Sequence, residues 1–233
     1  ARSFDDVPLG HEDVAFLQYT GGTTGVAKGA VLSHGNMVAN VLQVAAWMAR
    51  DLKDGEETVV IPLPLYHVYA LTTNLVFMKL GAHSLLVTNP RDMPAFLETL
   101  RKNQFTAIIG VNTLYGALID APGFAQVDVS HLKLISAGGM AVQRVVAHKW
   151  KQATGLAIIE GYGLTETSPV ALANPLGIDE WTGTIGLPLP STEAVIMDEQ
   201  GNEIPQGQVE EICIRGPQVM RGYWNRPDAT EKV

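Results

Sequence analysis

The sequence is poor in cysteine, in charge and in long apolar runs. Its 233 residues include one cysteine, Cys213, which excludes an internal disulfide and fits a reducing compartment. No apolar run reaches the roughly 18 residues that a membrane-spanning helix needs. Residues 1–13 are polar and acidic, which is not typical of a signal peptide. We therefore expect a cytoplasmic protein.

Basic residues are also scarce, since 16 Lys and Arg stand against 24 Asp and Glu and give a net charge of −8. Nucleic-acid binding without sequence preference needs a basic surface, so the charge argues against that class of function. Charged residues make up 17% and apolar residues 46% of the chain, which indicates a globular protein. The chain starts with Ala and ends within a pattern at Val233, so we expect a piece of a longer protein.

Glycine and threonine are concentrated in residues 19–29, which read Tyr-Thr-Gly-Gly-Thr-Thr-Gly-Val-Ala-Lys-Gly between two predicted strands. Glycines allow several backbone N–H groups to point at one anion, while hydroxyls and a lysine add donors and positive charge. The stretch therefore predicts a polyphosphate loop, and a flexible turn is the alternative. The Walker loop is excluded because Lys28 is followed by Gly29 and not by Ser or Thr. The expected contacts are Thr20, Gly21, Gly22, Thr23, Thr24, Gly25 and Lys28.

A second stretch, Glu160 to Thr167, follows a predicted strand and reads Glu-Gly-Tyr-Gly-Leu-Thr-Glu-Thr. An aromatic ring between two glycines can lie flat on a nucleotide base. A carboxylate close behind it is a suitable ligand for Mg²⁺ that bridges to phosphates. The alternative is an ordinary turn with an exposed acid. We expect nucleotide contacts from Glu160, Gly161, Tyr162, Gly163 and Thr165, and a metal contact from Glu166.

Apolar strands alternate with helical segments through the middle of the chain, which predicts an α/β fold with a mostly parallel sheet covered by helices. Ligands of such sheets bind beyond the carboxyl ends of the strands, where this chain carries its glycines. From about residue 182, short alternating strands and prolines predict a small antiparallel, barrel-like subdomain. The expected units are residues 1–34 (lead-in and phosphate-loop hairpin), 35–180 (nucleotide and acyl binding) and 181–233 (antiparallel strands).

The two stretches, in this order, resemble the two signatures of the adenylate-forming superfamily, which includes acyl-CoA synthetases, peptide-synthetase adenylation domains and firefly luciferase. The Gly21-Gly22 pair, with Lys28-Gly29-Ala30 after it, is most similar to bacterial long-chain fatty acyl-CoA synthetases. The resemblance implies a ligase that uses ATP, Mg²⁺ and coenzyme A. A fatty carboxylate attacks the α-phosphate of ATP to give acyl-adenylate and pyrophosphate, and the thiol of coenzyme A then displaces AMP.

The resemblance also implies a role for single residues. Tyr162 would stack on adenine, Thr165 would contact the α-phosphate, and Glu166 would bind Mg²⁺. Three further stretches resemble parts of the family's site. The first resembles an adenine-side turn, or else is an ordinary strand-to-helix turn, and the second is a substrate-side histidine, or else a structural one. The third resembles the wall of an acyl tunnel, or else is a core helix. Their members are Gly138, Gly139 and Met140 at the turn, His67, and Val111 and Asn112 in the wall, with Gly139 also facing the substrate. The expected catalytic residues are Lys28, His67, Thr165 and Glu166.

The family's ribose-binding acid, its hinge and its mobile C-terminal domain with a catalytic lysine would lie after Val233. We therefore expect negligible turnover from this chain alone. Two other functions stay open: a fatty acyl-AMP ligase or another carboxylate-adenylating enzyme, and a non-catalytic module that binds nucleotide or acyl groups. A homodimer also stays open. Peripheral contact with the inner membrane is compatible with a long-chain substrate, although no basic amphipathic helix supports it.

Overall fold

The computed structural model describes residues 6–20 and 27–233, which form a β-hairpin, a large mixed sheet with helices on both faces, and a second hairpin. The first hairpin pairs β1 (Val14–Thr20) with β2 (Lys28–Ser33) in antiparallel fashion. The second pairs β10 (Glu193–Met197) with β11 (Glu211–Arg215).

The large sheet has seven strands in the order β4-β3-β5-β6-β7-β8-β9. The neighbouring strands from β4 to β7 are parallel, while β8 and β9 are antiparallel to their neighbours. The expectation of a mostly parallel sheet covered by helices is therefore confirmed. The bounds are β3 (Thr58–Ile61), β4 (His83–Leu86), β5 (Ala107–Gly110), β6 (Leu134–Ala137), β7 (Ile159–Gly163), β8 (Val170–Ala173) and β9 (Leu187–Pro188).

The described residues contain six α-helices, three of which begin at a side-chain cap. Ser33 and Asn36 form a reciprocal capping box at α1, and Asp92 accepts the N–H of Ala95 at α3. The cap of α2 is His67, whose Nδ1 accepts the N–H of Tyr69 at 3.2 Å. The bounds are α1 (His34–Met48), α2 (Val68–Lys79), α3 (Met93–Lys102), α4 (Asn112–Ile119), α5 (Arg144–Thr154) and α6 (Pro227–Thr230). Among the described residues, no helix is both long and apolar enough to cross a membrane.

The sheet separates two apolar cores, because successive side chains of a strand point to opposite faces. On one face, Ile108 and Ile135 pack in a core with Trp150 and other residues of α3, α4 and α5. On the other face, Ile109 and Leu134 pack in a core with residues of α1 and α2. Helix α4 and the pair α1 and α2 therefore lie on opposite sides of the sheet.

Helix α1 buries a row of amide side chains beside its apolar face. Asn36 Nδ2 donates to the carbonyl oxygens of Pro217 (2.9 Å) and Val219 (2.8 Å). Asn40 exchanges two hydrogen bonds with the backbone of Val170, at 2.7 and 3.1 Å. Each such bond contributes about 1 kcal/mol net, and a buried carbonyl without one is costly. The helix thus fixes segments that lie far away in the sequence.

The antiparallel strands expected after residue 181 are present, because β10 and β11 form a two-stranded antiparallel sheet. Strand β9 pairs with β8 and so belongs to the large sheet, although it lies after the boundary expected at residue 180. The prolines near β9 suggested a new unit because local sequence does not reveal that a two-residue strand continues a distant sheet.

A buried ion pair at the start of β3 generates a stability prediction. The Glu57 side chain is fully buried, and its Oε1 accepts bonds from Lys133 Nζ at 2.7 Å and from the N–H of Lys53 at 2.8 Å. Burial raises the pKa of Glu57, but bonds from Lys133, Thr106 and Lys53 outweigh it and hold the pKa below its usual value. A carboxylate with a lowered pKa stabilises the fold above its unfolded pKa, and this contribution is lost as the pH falls through the folded value.

We expect Lys133→Met to lower the free energy of unfolding by about 1–3 kcal/mol at pH 7, because it leaves a buried carboxylate without its cation. Denaturant unfolding of the full-length protein from pH 7 to pH 4 measures this. The difference from wild type should shrink as the pH falls toward the lowered pKa of Glu57, because the carboxylate then loses its charge in both proteins. The control is Lys149→Met, which breaks an exposed pair with Asp120 and should cost less than about 1 kcal/mol. Equal losses in the two variants would contradict the prediction.

Candidate functional site

A cavity of about 1100 Å³ lies at the carboxyl ends of the parallel strands, and both glycine-rich stretches contribute to its lining. Lys28 comes from the first stretch and Glu166 from the second, so the predicted convergence of these two residues on one cavity is present. The lining includes ten of the residues expected from the sequence: Thr20, Lys28, His67, Gly138, Gly139, Gly161, Tyr162, Gly163, Thr165 and Glu166. Gly21, Gly22, Thr23, Thr24 and Gly25 lie outside the described residues.

The first hairpin places Thr20 and Lys28 side by side. They are the last paired residues of β1 and β2, on either side of residues 21–26. Gln18 Nε2 donates to the carbonyl oxygen of Tyr66 at 2.7 Å, which ties the hairpin to the segment that carries His67. A hydroxyl and an ammonium group thus meet at one edge of the cavity.

The acid of the second stretch lies in a tight 3-10 turn, Thr165–Thr167, directly after β7. The hydroxyl oxygen of Thr167 accepts the N–H of Leu164 at 2.9 Å, and its O–H donates to the carbonyl oxygen of Pro169. A Cβ atom at Gly163 would overlap that same carbonyl, so only glycine allows the chain to double back here. This turn presents Thr165 and Glu166 to the cavity.

Glu166 and Lys28 both contact Tyr223, a residue outside the two stretches. The hydroxyl of Tyr223 donates to Glu166 Oε1 at 2.6 Å. Lys28 Nζ lies 4.2 Å from the centroid of the same ring, which is a cation–π distance. The sequence analysis did not include Tyr223 among the expected site residues and so missed this contact. The available signal was an aromatic residue directly after a glycine, and such a pair does not by itself indicate a functional site.

Backbone hydrogen bonds explain how Tyr223 reaches both groups. The N–H of Val31 donates to the carbonyl of Gly222 (2.9 Å), and the N–H of Trp224 donates to that of Gly29 (2.8 Å), so the segment pairs with the free edge of β2. The N–H of Met220 donates to the carbonyl oxygen of Glu166 at 2.8 Å. Residues 220–224, which we call the linking segment, therefore bind both predicted stretches at once.

The glycine turn after β6 contacts a half-buried tyrosine, Tyr69. The hydroxyl of Tyr69 lies 3.2 Å from both oxygens of Ser136, and a Cβ atom at Gly138 would lie 3.4 Å from the Tyr69 ring. Glycine therefore lets the ring lie directly against the turn. Burial raises the pKa of Tyr69 to about 12, against the opposing effect of its hydrogen bonds, so the hydroxyl stays protonated at neutral pH.

Four expected site residues do not line the cavity: Met140, Val111, Asn112 and Glu160. Both carboxylate oxygens of Glu160 accept structural bonds, one from the N–H of Val142 (2.8 Å) and one from Trp181 Nε1 (2.5 Å). Asn112 accepts the N–H of Gln143 at 2.8 Å. It belongs to α4, which covers the face of the sheet opposite to α1 and α2. Val111 and Asn112, which directly follow the carboxyl end of β5, are thus not among the residues that line the cavity, and their place in an acyl wall stays a prediction.

The apolar part of the lining comes from the other face. It is formed by α1, α2, the strands above them and the segment near β9. Trp47 is fixed there by a bond of 3.2 Å from its Nε1 to the carbonyl of Asn174. The apolar members are Val44, Trp47, Met48, Val76, Phe77, Ile109, Leu134, Ile159, Leu176 and Leu189. One cavity thus combines a polar region with an extended apolar surface.

The donor chemistry fits a metal ion that is shared with phosphates. Residues 6–20 and 27–233 contain no group of three His, Cys, Asp or Glu side chains that could hold a metal by themselves. Glu166 supplies one carboxylate near Thr165 and Lys28. Because Mg²⁺ usually binds to one or two carboxylates plus substrate phosphates and water, a single acid is sufficient.

Comparisons with known proteins agree with this geometry. A family profile described as "AMP-binding enzyme" matches residues 2–224. A long-chain-fatty-acid–CoA ligase of Escherichia coli O6:H1 is 56% identical over 223 residues, which are 95% of this chain and 40% of that protein. This chain thus spans about 40% of the length of that relative.

Solved structures show the same fold over nearly the whole chain. ATP-bound MatB from Rhodopseudomonas palustris superposes with a TM-score of 0.86 at 30% identity, covering 99% of this chain and 45% of that one. A long-chain-fatty-acid-CoA ligase from Archaeoglobus fulgidus gives a TM-score of 0.87 at 26% identity, covering 99% of this chain and 48% of that one.

The close approach at Gly163 generates the prediction for this site. We expect Gly163→Ala to lower the free energy of unfolding of the full-length protein by about 1–3 kcal/mol, because the added methyl must displace the backbone of Pro169. Denaturant unfolding measures the loss. The control is Gly116→Ala in α4, where the new methyl meets Val146 at an ordinary 3.7 Å and alanine favours a helix. If Gly163→Ala were as stable as wild type, the close approach would be wrong.

Proposed function

The chain belongs to the AMP-binding enzyme family, and on this premise we propose that the full-length protein is a long-chain fatty acid–CoA ligase. One observation carries the proposal: a single cavity joins Lys28, Tyr162 and Glu166 to a long apolar surface. The first three residues suit a metal-bound nucleotide, and the apolar surface suits a fatty chain. The relatives at 51–56% identity have this activity in their names, which supports the same choice.

In this proposal the nucleotide lies across the ends of β6 and β7. Tyr162 stacks on adenine between its two glycines, and Gly138 and Gly139 let the backbone approach the base from the neighbouring turn. Thr20, Lys28 and Thr165 bind the phosphates. Glu166 holds Mg²⁺, which when bound offsets the charge that develops on the phosphate oxygens. The side chains act mainly by holding the reacting groups in line in an environment with little water.

The carboxylate of the fatty acid has a candidate partner in His67, which lines the cavity at the start of α2. Its Nδ1 accepts the N–H of Tyr69, so the proton of the neutral ring lies on Nε2. That N–H can donate to a carboxylate oxygen and orient the other oxygen toward the α-phosphate. The chain of the acid then extends over the apolar lining, where burial contributes about 0.8 kcal/mol per CH₂.

The second substrate is coenzyme A, whose thiol displaces AMP from the acyl-adenylate. A cytoplasmic location agrees with the single half-buried thiol of Cys213. Membrane contact and a homodimer have no structural support among the described residues. A purely nucleotide-binding module has less need of an acid beside the phosphates, which favours an enzyme.

We expect Glu166→Gln in the full-length protein to lower the rate of fatty-acid-dependent ATP–pyrophosphate exchange by about 10²–10³-fold, because the amide is a poor ligand for Mg²⁺. The control is Glu199→Gln in the exposed turn after β10, which should exchange at the wild-type rate. A Glu166→Gln enzyme with unchanged exchange would contradict the metal role. Exchange by wild type that depends on aryl or amino acids, and not on fatty acids, would favour the other carboxylate-adenylating enzymes.

We expect Met48→Trp to shift the preference of the enzyme toward shorter acids, because the larger ring fills part of the apolar lining. Each excluded CH₂ should weaken binding about fourfold, the factor that corresponds to about 0.8 kcal/mol. The measurement compares KM for palmitate with KM for octanoate. Met78→Trp is the matched control, since Met78 is 61% exposed on α2 and does not line the cavity. A change of equal size for both acids would count against this location of the chain.

A further inference from the structure

Tyr223 joins the two charged groups of the site through one side chain. It is buried, with 7% of its surface exposed, and it contacts Lys28 with its ring face and Glu166 with its hydroxyl. Neither contact is needed to explain the fold, because the linking segment already binds β2 and the turn of Glu166 through its backbone. The side chain therefore has a task besides holding the segment in place.

The ring of Tyr223 is held firmly enough to orient its partners. The backbone N–H of Tyr223 donates to Thr230 Oγ1 at 2.9 Å. The neighbouring residues Gly222 and Trp224 are hydrogen-bonded to β2. Glycine is required at Gly222, where φ is +141° and a Cβ atom would come within 2.6 Å of Thr230. A ring fixed from both sides limits the positions that a lysine above it and a carboxylate at its tip can adopt.

The hydroxyl acts as a permanent donor. Phenols are protonated at neutral pH, so the Tyr223 hydroxyl donates its proton in this bond and occupies Oε1 of Glu166. The other carboxylate oxygen is then the one that can take a metal ion. Hydrogen bonds of this kind fix the direction of a metal-binding carboxylate and raise metal affinity.

The ring also gives Lys28 a partner other than Glu166. Opposite charges that line one cavity attract each other, and a direct pair would have to break before phosphate and metal could bind. In the described part of the chain no ion pair joins Lys28 to Glu166. Lys28 lies over the Tyr223 ring instead, while Glu166 is bonded to the hydroxyl of that ring.

Building on the proposed function, we propose that Tyr223 is a positioning residue of the adenylation site. Its hydroxyl orients the Glu166 carboxylate for Mg²⁺, and its ring keeps Lys28 available for the phosphates of ATP. The two parts of this role can be separated by substitution. Tyr223→Phe keeps the ring and removes the hydroxyl, while Tyr223→Leu removes both.

The test measures binding and not turnover. Calorimetry on the full-length protein, without fatty acid or coenzyme A, gives Kd for ATP in EDTA and Kd for ATP in Mg²⁺. The first Kd divided by the second reports how strongly the metal strengthens ATP binding. We expect Tyr223→Phe to lower this ratio about tenfold or more while Kd in EDTA stays unchanged. Tyr223→Leu should lower the ratio similarly and also weaken ATP binding in EDTA by roughly two- to fivefold, through the lost ring contact.

Tyr115→Phe is the matched control. The Tyr115 hydroxyl is buried and donates to the carbonyl of Ser136 at 2.6 Å, but the residue does not line the cavity. We expect a lower Tm and an unchanged ratio from it. If Tyr223→Phe had the same ratio as the wild type, the proposal would be overturned. If Tyr223→Leu does not fold, the result for Tyr223→Phe is sufficient to decide.

The outcome for Tyr223 is separable from the outcome for the proposed function. A lowered ratio in Tyr223→Phe, together with no fatty-acid-dependent exchange by the wild type, would keep the positioning role and reject the fatty acid ligase. Normal exchange with an unchanged ratio would reject the positioning role alone. A wild type that binds ATP equally with and without Mg²⁺ would overturn the positioning role, while fatty-acid-dependent exchange would still decide the proposed function.

Discussion

The pairing of residues 220–224 with β2 and with the turn of Glu166 is the contact on which the site depends. The two glycine-rich stretches lie far apart in the chain, and the turn of Glu166 also contacts β1 and β2 directly. The linking segment binds the edge of β2 through Val31 and Gly29, and it binds the carbonyl of Glu166 through Met220. It is fixed in turn by Asn36 of α1, which holds the carbonyls of Pro217 and Val219. Backbone geometry therefore sets the distance between the ammonium group and the acid.

The surrounding structure keeps polar groups satisfied where the chain is irregular. Turns at the ends of parallel strands expose carbonyls that no ladder can pair, and these must find other donors. Asn40 hydrogen-bonds to both backbone groups of Val170, as a neighbouring strand would, and Tyr69 donates to the carbonyl of Ser136. Such buried bonds make the cavity wall rigid before any ligand arrives, which is the condition for catalysis by positioning.

Sequence reasoning predicted the local parts of this site and failed where the topology decides. The strands, the sheet type and the convergence of Lys28 with Glu166 followed from apolar runs, glycine clusters and the rule for ligands of parallel sheets. The apolar lining contributed by α1 and α2 was not predicted, because an apolar helix gives no sign of which face of the sheet it will cover. Tyr223 was missed for a similar reason, since its partners come from two distant segments.

The apolar surface continues directly from the polar region of the cavity, so one cavity offers sites for a polar group and for an apolar group. Strands β5 and β6 end in the polar region, while Ile109 and Leu134 within them face the core with α1 and α2. An apolar ligand that extends from the strand ends along this face would meet only side chains, because the backbone N–H and C=O groups of the sheet already pair with each other. In the proposed ligase, the carboxylate of the acid would lie at the strand ends and its tail would lie along this face. Substitutions in α1 and α2 can therefore change the length of the apolar region without moving the residues proposed to hold the nucleotide.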